Sequence, residues 1–290
     1  MSEITISPDL CERDGICVQE CPAAVFEQTE KASIPEVAHE DYCIACGHCV
    51  AICPHGAISH TDFPPGCVNP INQGMVPSYE QVRELFRVRR SSRAFHEQPV
   101  ERVIIEKILD GARFAPSAHN SQGTEFTVIQ DQAVLKKIVG LTADYLAGVV
   151  KKLRNPAIRT ILLLTAREKV EGAIHSLDGF DRVVKAVKSG KDRILRGAPT
   201  LVLFHADQGR SFAEADANLA LQNATLIAQT LGIGSFYTGY VVSVCRRDDR
   251  IPRLLSIPEG HKVYGGLAMG YTKFKFANWM ERKPARLTWT

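Results

Sequence analysis

The chain has 290 residues, with 35 Lys or Arg against 32 Asp or Glu and a formal net charge of +3. Hydrophobic residues make up 45%, ordinary for a globular chain of one large and one small domain. No apolar run reaches the ~18 residues of a membrane span, and residues 1–30 hold no apolar stretch behind a basic start. Neither a membrane partner nor secretion is expected, and the expected location is cytoplasmic.

The first element along the chain is a pair of cysteine runs that hold seven of the nine cysteines. Cys43, Cys46, Cys49 and Cys53 follow the spacing C-x2-C-x2-C-x3-C-P, which ends at Pro54. In that pattern three close thiolates grip one iron–sulfur cluster, and the fourth, before Pro, reaches a second cluster. The upstream run, Cys11, Cys17 and Cys21 before Pro22, keeps the spacing but has Asp14 at the second position. Zinc sites use separated C-x2-C pairs rather than four cysteines in eleven residues. Covalent haem needs C-x-x-C-H, but Gly47 and Val50 follow Cys46 and Cys49. A disulfide framework belongs to secreted chains.

Residues 3–60 therefore resemble the two-cluster bacterial ferredoxins. The resemblance implies that Cys11, Cys17 and Cys53 hold one cluster, with Asp14 a candidate fourth ligand. It gives the other cluster Cys43, Cys46, Cys49 and Cys21. Two readings of Asp14 stand. A carboxylate is a harder and weaker iron ligand than thiolate, so this cluster is 4Fe-4S with an Asp ligand or loses iron to a 3Fe-4S form. Alternatively, Asp14 is a loop acid with no ligand role. Cys67 and Cys245 lie outside the runs and read as linker or buried thiols.

Charge is divided unevenly. Residues 1–60 carry Arg13 and Lys31 against ten acidic residues, whereas residues 61–290 carry 33 basic and 22 acidic ones. An acidic head and a basic body are expected to attract each other, and the body to receive an anionic group such as a phosphate. No basic run interleaved with aromatics is present, so nucleic acid is not an expected partner. Residues 61–77 are rich in Pro, Gly and Asn and read as a linker between a cluster domain (1–60) and a body (78–290).

In the body, Ser78 and Gln81 form a capping box before a helix striped by Val82, Leu85 and Phe86. A second helix is predicted after Pro99, with Val100, Ile104 and Ile108 on one face. Strands are predicted at 125–130, 201–205, 236–242 and 262–269, and a long Ala-rich helix at 212–231 that stops at Gly232. Residues 145–195 carry a charged helical pattern with no assigned role. Strands and helices mix without strict βαβ alternation, so the fold class is α+β.

Four body segments stand out in order. Arg89-Arg90-Ser91-Ser92-Arg93 offers guanidiniums and hydroxyls suited to a phosphate dianion, although a solvated basic helix end has the same composition. Next come Ala115-Pro116-Ser117-Ala118-His119-Asn120-Ser121-Gln122, then Leu231 through Tyr237-Thr238-Gly239, then Ile257 through Tyr271 with Arg282-Lys283-Pro284. Gly232-x-Gly234 is not a dinucleotide fingerprint, because Tyr237 replaces the third glycine and a helix precedes it.

Together these segments resemble the nitroreductase family of FMN proteins across residues 78–290. The resemblance implies a nitroreductase-like homodimer with FMN at the subunit interface. It implies FMN contacts at Arg89, Arg90, Ser91, Arg93, Pro116, Ser117, Ala118, Asn120, Tyr237, Thr238, Gly239 and Arg282. Gly123-Thr124 stand where the family has Pro-Trp, and Met280 where it often has a second basic residue.

The expected activity is an iron–sulfur flavoprotein oxidoreductase. Electrons would enter singly through two clusters, from ferredoxin or from NAD(P)H, and leave as pairs to a small conjugated acceptor (nitroarene, quinone, enone or flavin). The alternatives are a specialised reductive dehalogenase-like or flavin-remodelling enzyme, or an electron-transfer or redox-sensing protein without a small substrate. No catalytic residue is assigned. His119 reads as a proton donor or a surface residue, and water, the flavin or the Tyr237 hydroxyl could serve instead.

Overall fold

The computed structural model describes residues 3–290. Two compact units emerge. One holds the chain up to Pro77 together with Ser117–Ser121, and the other holds Ser78–Pro116 and Gln122–Thr290.

The first unit runs β1 (Ile4–Ile6), α1 (Ile16–Glu20), β2 (Phe26–Glu27), β3 (Glu36–Val37), α2 (His48–Ile52) and β4 (Ile58–His60). β1 pairs antiparallel with β4, placing Ile4 opposite His60, and β2 pairs with β3. The two helices are built alike. Gly15 (φ 69°) and Gly47 (φ 73°) precede them in the left-handed region, and Cys21 and Cys53 end them in extended backbone. Pro22 and Pro54 follow and bar a further turn. Positions 11/43, 14/46, 15/47, 17/49, 21/53 and 25/57 are each 32 apart. A side chain at Gly15 would strike Gln28 Oε1 at 2.5 Å, and one at Gly47 would press on the Phe63 ring at 3.1 Å. Five-residue helices do not persist alone. They are held here against Ile4, Val25, Phe26 and Ile58, with Cys17 and Cys49 inside the same core.

The second unit begins with α3 (Tyr79–Val88), whose capping box forms between Ser78 and Gln81, and α4 (Arg102–Arg113). Then come β5 (Glu125–Ile129), α5 (Gln132–Arg154), α6 (Pro156–His175), α7 (Leu177–Lys188), β6 (Thr200–Asp207) and α8 (Ala213–Thr230). The unit closes with β7 (Gly234–Tyr237), α9 (Gly239–Cys245), α10 (Arg250–Leu254) and β8 (His261–Gly270). The sheet order is β5-β6-β8-β7, and every pairing is antiparallel.

Both faces of this sheet are covered. Leu201 and Leu203 of β6 enter a core with Leu135, Ile138, Val184 and Val244. Val202 and Phe204 enter a second core with Ile105, Ile108, Leu221 and Ala224. This two-sided burial explains why β6 reads as an unbroken apolar run instead of an alternating one. The Ala-rich face of α8 comes close to α4, where Gly111 leaves room for Ile227. A Cβ at Gly111 would lie 2.5 Å from Ile227 Cγ1.

Two sequence expectations change. The strand foreseen at 236–242 stops at Tyr237, and residues 239–245 form α9. β-branched Val241 and Val242 favour a strand by propensity, but Val241 and Val244 are buried three apart, on one helical face. The charged pattern at 145–195 resolves into most of three helices. Asp131 caps α5 through Ala133 and Val134, Asn155 caps α6, and Pro156 takes the first helical position of α6.

Candidate functional site

In the first unit, Cys21, Cys43, Cys46 and Cys49 line one cavity with Ile4, Phe26 and His60 among its other walls. Burial pushes the Cys49 thiol up to about 11, and the nearby Cys43, Cys46 and Cys21 add to the rise. Burial also raises Cys17, which faces Cys11 and Asp14. Thiols this costly to ionise alone, and clustered, are suited to soft metal ions that take thiolate.

Several sulfurs already accept hydrogen bonds. Val25 N–H donates to Cys21 Sγ, Ala45 N–H to Cys43 Sγ and Ala57 N–H to Cys53 Sγ, each at 3.4 Å. His60 is buried. Its Nδ1 accepts from Asp62 N–H at 3.2 Å, so the neutral ring carries its hydrogen on Nε2, 3.4 Å from Cys43 Sγ. Asp14 Oδ1 accepts from Ile16 N–H at 3.2 Å and so supports the turn into α1.

The second unit brings part of the predicted set together. Ser91 bridges Ser235 of β7 in parallel, and Ser92 N–H donates to Ser235 O at 3.0 Å. Gly234 is obligatory there, because a Cβ would fall 2.7 Å from Ser92 Oγ and 2.0 Å from Thr272 Cγ2. This docking lays the arginine-bearing segment along β7. Tyr237 donates its hydroxyl to Gln222 Oε1 at 2.7 Å. Burial raises the Tyr237 pKa, partly offset by Thr225 and by the charge of Arg89. Thr238 is 2% exposed, and its hydroxyl has no hydrogen-bond partner among the described residues. A Cβ at the adjacent Gly239 would meet only open space. A buried hydroxyl without a partner calls for an explanation, and a polar ligand is one.

Arg93 donates to Ser91 O at 3.2 Å. Its charge, with that of Arg193, depresses the pKa of Arg196, although burial is the larger cause. Three guanidiniums within mutual influence make an anion-seeking group. Arg193 and Arg196 are absent from the sequence expectations. Their signal was the neighbouring Asp192, whose carboxylate gathers the N–H groups of Ile194, Leu195 and Gly197 at 2.8–2.9 Å and sets the loop. Gln222 was also missed, because it reaches Tyr237 only through the α8–β7 packing.

The remaining expected residues lie apart from this group. Pro116 falls in the second unit, whereas Ser117, Ala118 and Asn120 cluster with the first. There Asn120 Nδ2 donates to Ala45 O at 2.6 Å. His119, Asn120 and Gln122 all adopt positive φ, between 44° and 53°. Non-glycine residues pay strain for this geometry and keep it mainly where surrounding structure demands it. Gly123, in place of the family's Pro, accommodates the Arg210 side chain, since a Cβ there would sit 3.0 Å from Arg210 Nε. Arg282 lies on an exposed tail, three residues beyond Trp279, whose ring stacks on the Arg87 guanidinium at 4.1 Å.

Residues 86–271 match the model of the nitroreductase family. The chain belongs to that family. Residues 3–54 match a 4Fe-4S dicluster domain, so this nitroreductase-family oxidoreductase carries a ferredoxin-like domain at its N-terminal end. Among curated relatives, a 4-nitrobenzoate reductase of Pseudomonas putida is 28% identical over 197 residues, 63% of this chain and 82% of its own length. A 7Fe ferredoxin of Hydrogenibacillus schlegelii is 35% identical over 65 residues, 22% of this chain and 80% of its own. Among solved structures, a nitroreductase with bound FMN from Desulfitobacterium hafniense DCB-2 aligns with a TM-score of 0.54 and 19% identity. That alignment covers 71% of this chain and 97% of the other. No helix among the described residues is long and apolar enough to cross a membrane.

Proposed function

We propose that this chain is an iron–sulfur flavoprotein reductase. It accepts electrons one at a time at the ferredoxin-like unit and passes them in pairs to a small conjugated acceptor, such as a nitroarene, quinone, enone or flavin. The observation that carries this reading is that one chain holds both a thiol-lined cavity and a nitroreductase-type body with a buried, orphaned Thr238 hydroxyl.

The residues present fit FMN. The Thr238 hydroxyl lacks a partner, Gly239 leaves space, and Arg89, Arg93, Arg193 and Arg196 supply positive charge for a phosphate. Bound FMN would supply the exchange between one-electron and two-electron transfer. Arg89, Arg90, Ser91 and Arg93 would hold its phosphate, assisted by Arg282. Tyr237, Thr238 and Gly239 would lie along the ring. Pro116, Ser117, Ala118 and Asn120 would complete the ring pocket in the homodimer. Gln222 takes the Tyr237 hydroxyl hydrogen and leaves the phenol oxygen to accept from a donor group. Burial raises the pKa of that phenol, and its single hydrogen is engaged by Gln222.

Iron–sulfur clusters fit the two thiol groups. Cys21, Cys43, Cys46 and Cys49 would hold a 4Fe-4S cluster. Cys11, Cys17 and Cys53 would hold a 3Fe-4S cluster, with Asp14 bonded to Ile16 N–H instead of iron. The hydrogen bond at Asp14 and the likeness to a 7Fe ferredoxin support that assignment.

The deciding experiment adds reduced ferredoxin, NADH or NADPH to anaerobic, fully loaded protein and follows the flavin absorbance. Bleaching by ferredoxin, slowed at least tenfold in Cys43→Ser, is expected. Bleaching by a nicotinamide at a rate untouched by Cys43→Ser would overturn entry through the clusters.

A further inference from the structure

A second cluster of ligand-type side chains sits at one end of the four-stranded sheet. Glu125 begins β5, His205 lies near the end of β6 and His261 begins β8. Glu125 is directly opposite His205. His205 is opposite Val263, after a bulge at Phe204/His205, so His261 is its diagonal neighbour on the same face. One ligand atom from each of the three residues lies within 4.8 Å of the other two. The two Nδ1 atoms are 3.0 Å apart. His205 is 3% exposed, whereas Glu125 is exposed. Thr127 Oγ1 lies 2.9 Å from His205 Nε2. When the Thr127 oxygen accepts from Nε2–H, the His205 Nδ1 lone pair is presented to His261 and Glu125.

We propose that Glu125, His205 and His261 bind one divalent transition metal of the zinc or iron(II) class. Each ring contributes Nδ1, the carboxylate contributes one oxygen, and Thr127 orients His205 from its far nitrogen. Two imidazoles and a carboxylate on one side of an ion make a three-ligand set with a position left for water. A hydrogen-bond acceptor on the non-ligating nitrogen fixes the tautomer that such ligation needs. The site is separate from the Tyr237 region. β8 pairs Tyr237 at Leu267, six residues from His261, or roughly 20 Å of strand. The ion would pin β5, β6 and β8 together where the sheet ends.

The test uses the full chain with its clusters and flavin in place. After treatment with a mild chelator the protein is given equimolar Zn2+ and desalted. The retained zinc is counted by mass spectrometry and its shell read by zinc-edge X-ray absorption. One zinc per chain, with nitrogen and oxygen neighbours, imidazole scattering and no sulfur, is expected. His261→Ala should abolish retention. Thr127→Val, which keeps the strand and the side-chain shape, should weaken it by roughly 10–100-fold. Zinc should raise the melting temperature of the parent and not of His261→Ala. Should His261→Ala fail to fold, Glu125→Gln at an exposed position takes its place. No retained zinc would mean the rings merely share a proton, and would overturn the proposal. A sulfur shell, or retention unchanged in both variants, would overturn it equally.

Discussion

His60 is a buried ring whose one free hydrogen points at a sulfur. An N–H donor stabilises a cluster more as its negative charge grows, so it raises the reduction potential. His60→Leu keeps the bulk and removes the donor. If the bond contributes about 1 kcal/mol and Cys43 ligates a cluster as proposed, that cluster's potential should fall by roughly 40 mV for one electron, measured by EPR-monitored titration. An unchanged potential would show that the bond is not made to the loaded site. If Cys11, Cys17 and Cys53 hold a 3Fe cluster as proposed, Asp14→Cys should complete a four-thiolate set. The iron count should rise by one, and the oxidised-state EPR signal of a 3Fe cluster should disappear. Cys245 presents the opposite case. Burial drives it up to about 12, so at pH 8 only ~1 in 10,000 is thiolate. In the loaded protein iodoacetamide should label exposed Cys67 and leave Cys245 untouched. Labelling of Cys245 at a comparable rate would mean that its cover opens.

Among the elements, α4 and α8 show how packing can override propensity. Ala is a better helix former than Gly by about 1 kcal/mol, yet a methyl at Gly111 would meet Ile227 at 2.5 Å. Overpacking costs ~1–3 kcal/mol, so Gly111→Ala should lower the melting temperature. Gly111→Ala with Ile227→Val should recover part of the loss. A stabilised single variant would show that the two helices separate at no cost. The same contest explains what the sequence concealed. The capping box at Ser78, the Ala-rich α8 and the strand at 201–205 were legible because period, cap and composition agree there. Val241 and Val242 were misread because local propensity favours a strand while tertiary burial selects the helix face. The dicluster domain was legible because four cysteines fall within eleven residues. Arg193, Arg196 and Gln222 were not, because they join the site through a loop set by Asp192 and through packing of α8 on β7. The Glu125–His205–His261 group was invisible for the same reason, since three strands distant in sequence supply one residue each.

For the whole molecule, the tail beyond β8 is the feature that a lone chain explains least. It has no regular structure past residue 274, and Phe274, Phe276 and Trp289 are 74%, 62% and 89% exposed. Helix α6 adds Ile161 and Leu164, 61% and 81% exposed. Large apolar side chains left exposed favour association with a partner surface. A homodimer of the 32.0 kDa chain, about 64 kDa by light scattering, is therefore expected. Deleting residues 274–290 should shift the protein toward monomer and release flavin into the filtrate. A truncated dimer that keeps its flavin would remove the tail from the interface.

The 32-residue offset between the cysteine runs makes Asp14 the positional twin of Cys46. The glycine before each helix, the proline after it and the amide that reaches each last sulfur are duplicated as well. The two halves thus offer one backbone mould cast twice, with Asp14 in one where the other has Cys46. Under the proposed ligation, iron lability would be a property carried by a residue and not by a location. Exchanging the pair, Asp14→Cys with Cys46→Asp, would move the labile corner from one half to the other and reverse which cluster is complete along the electron route.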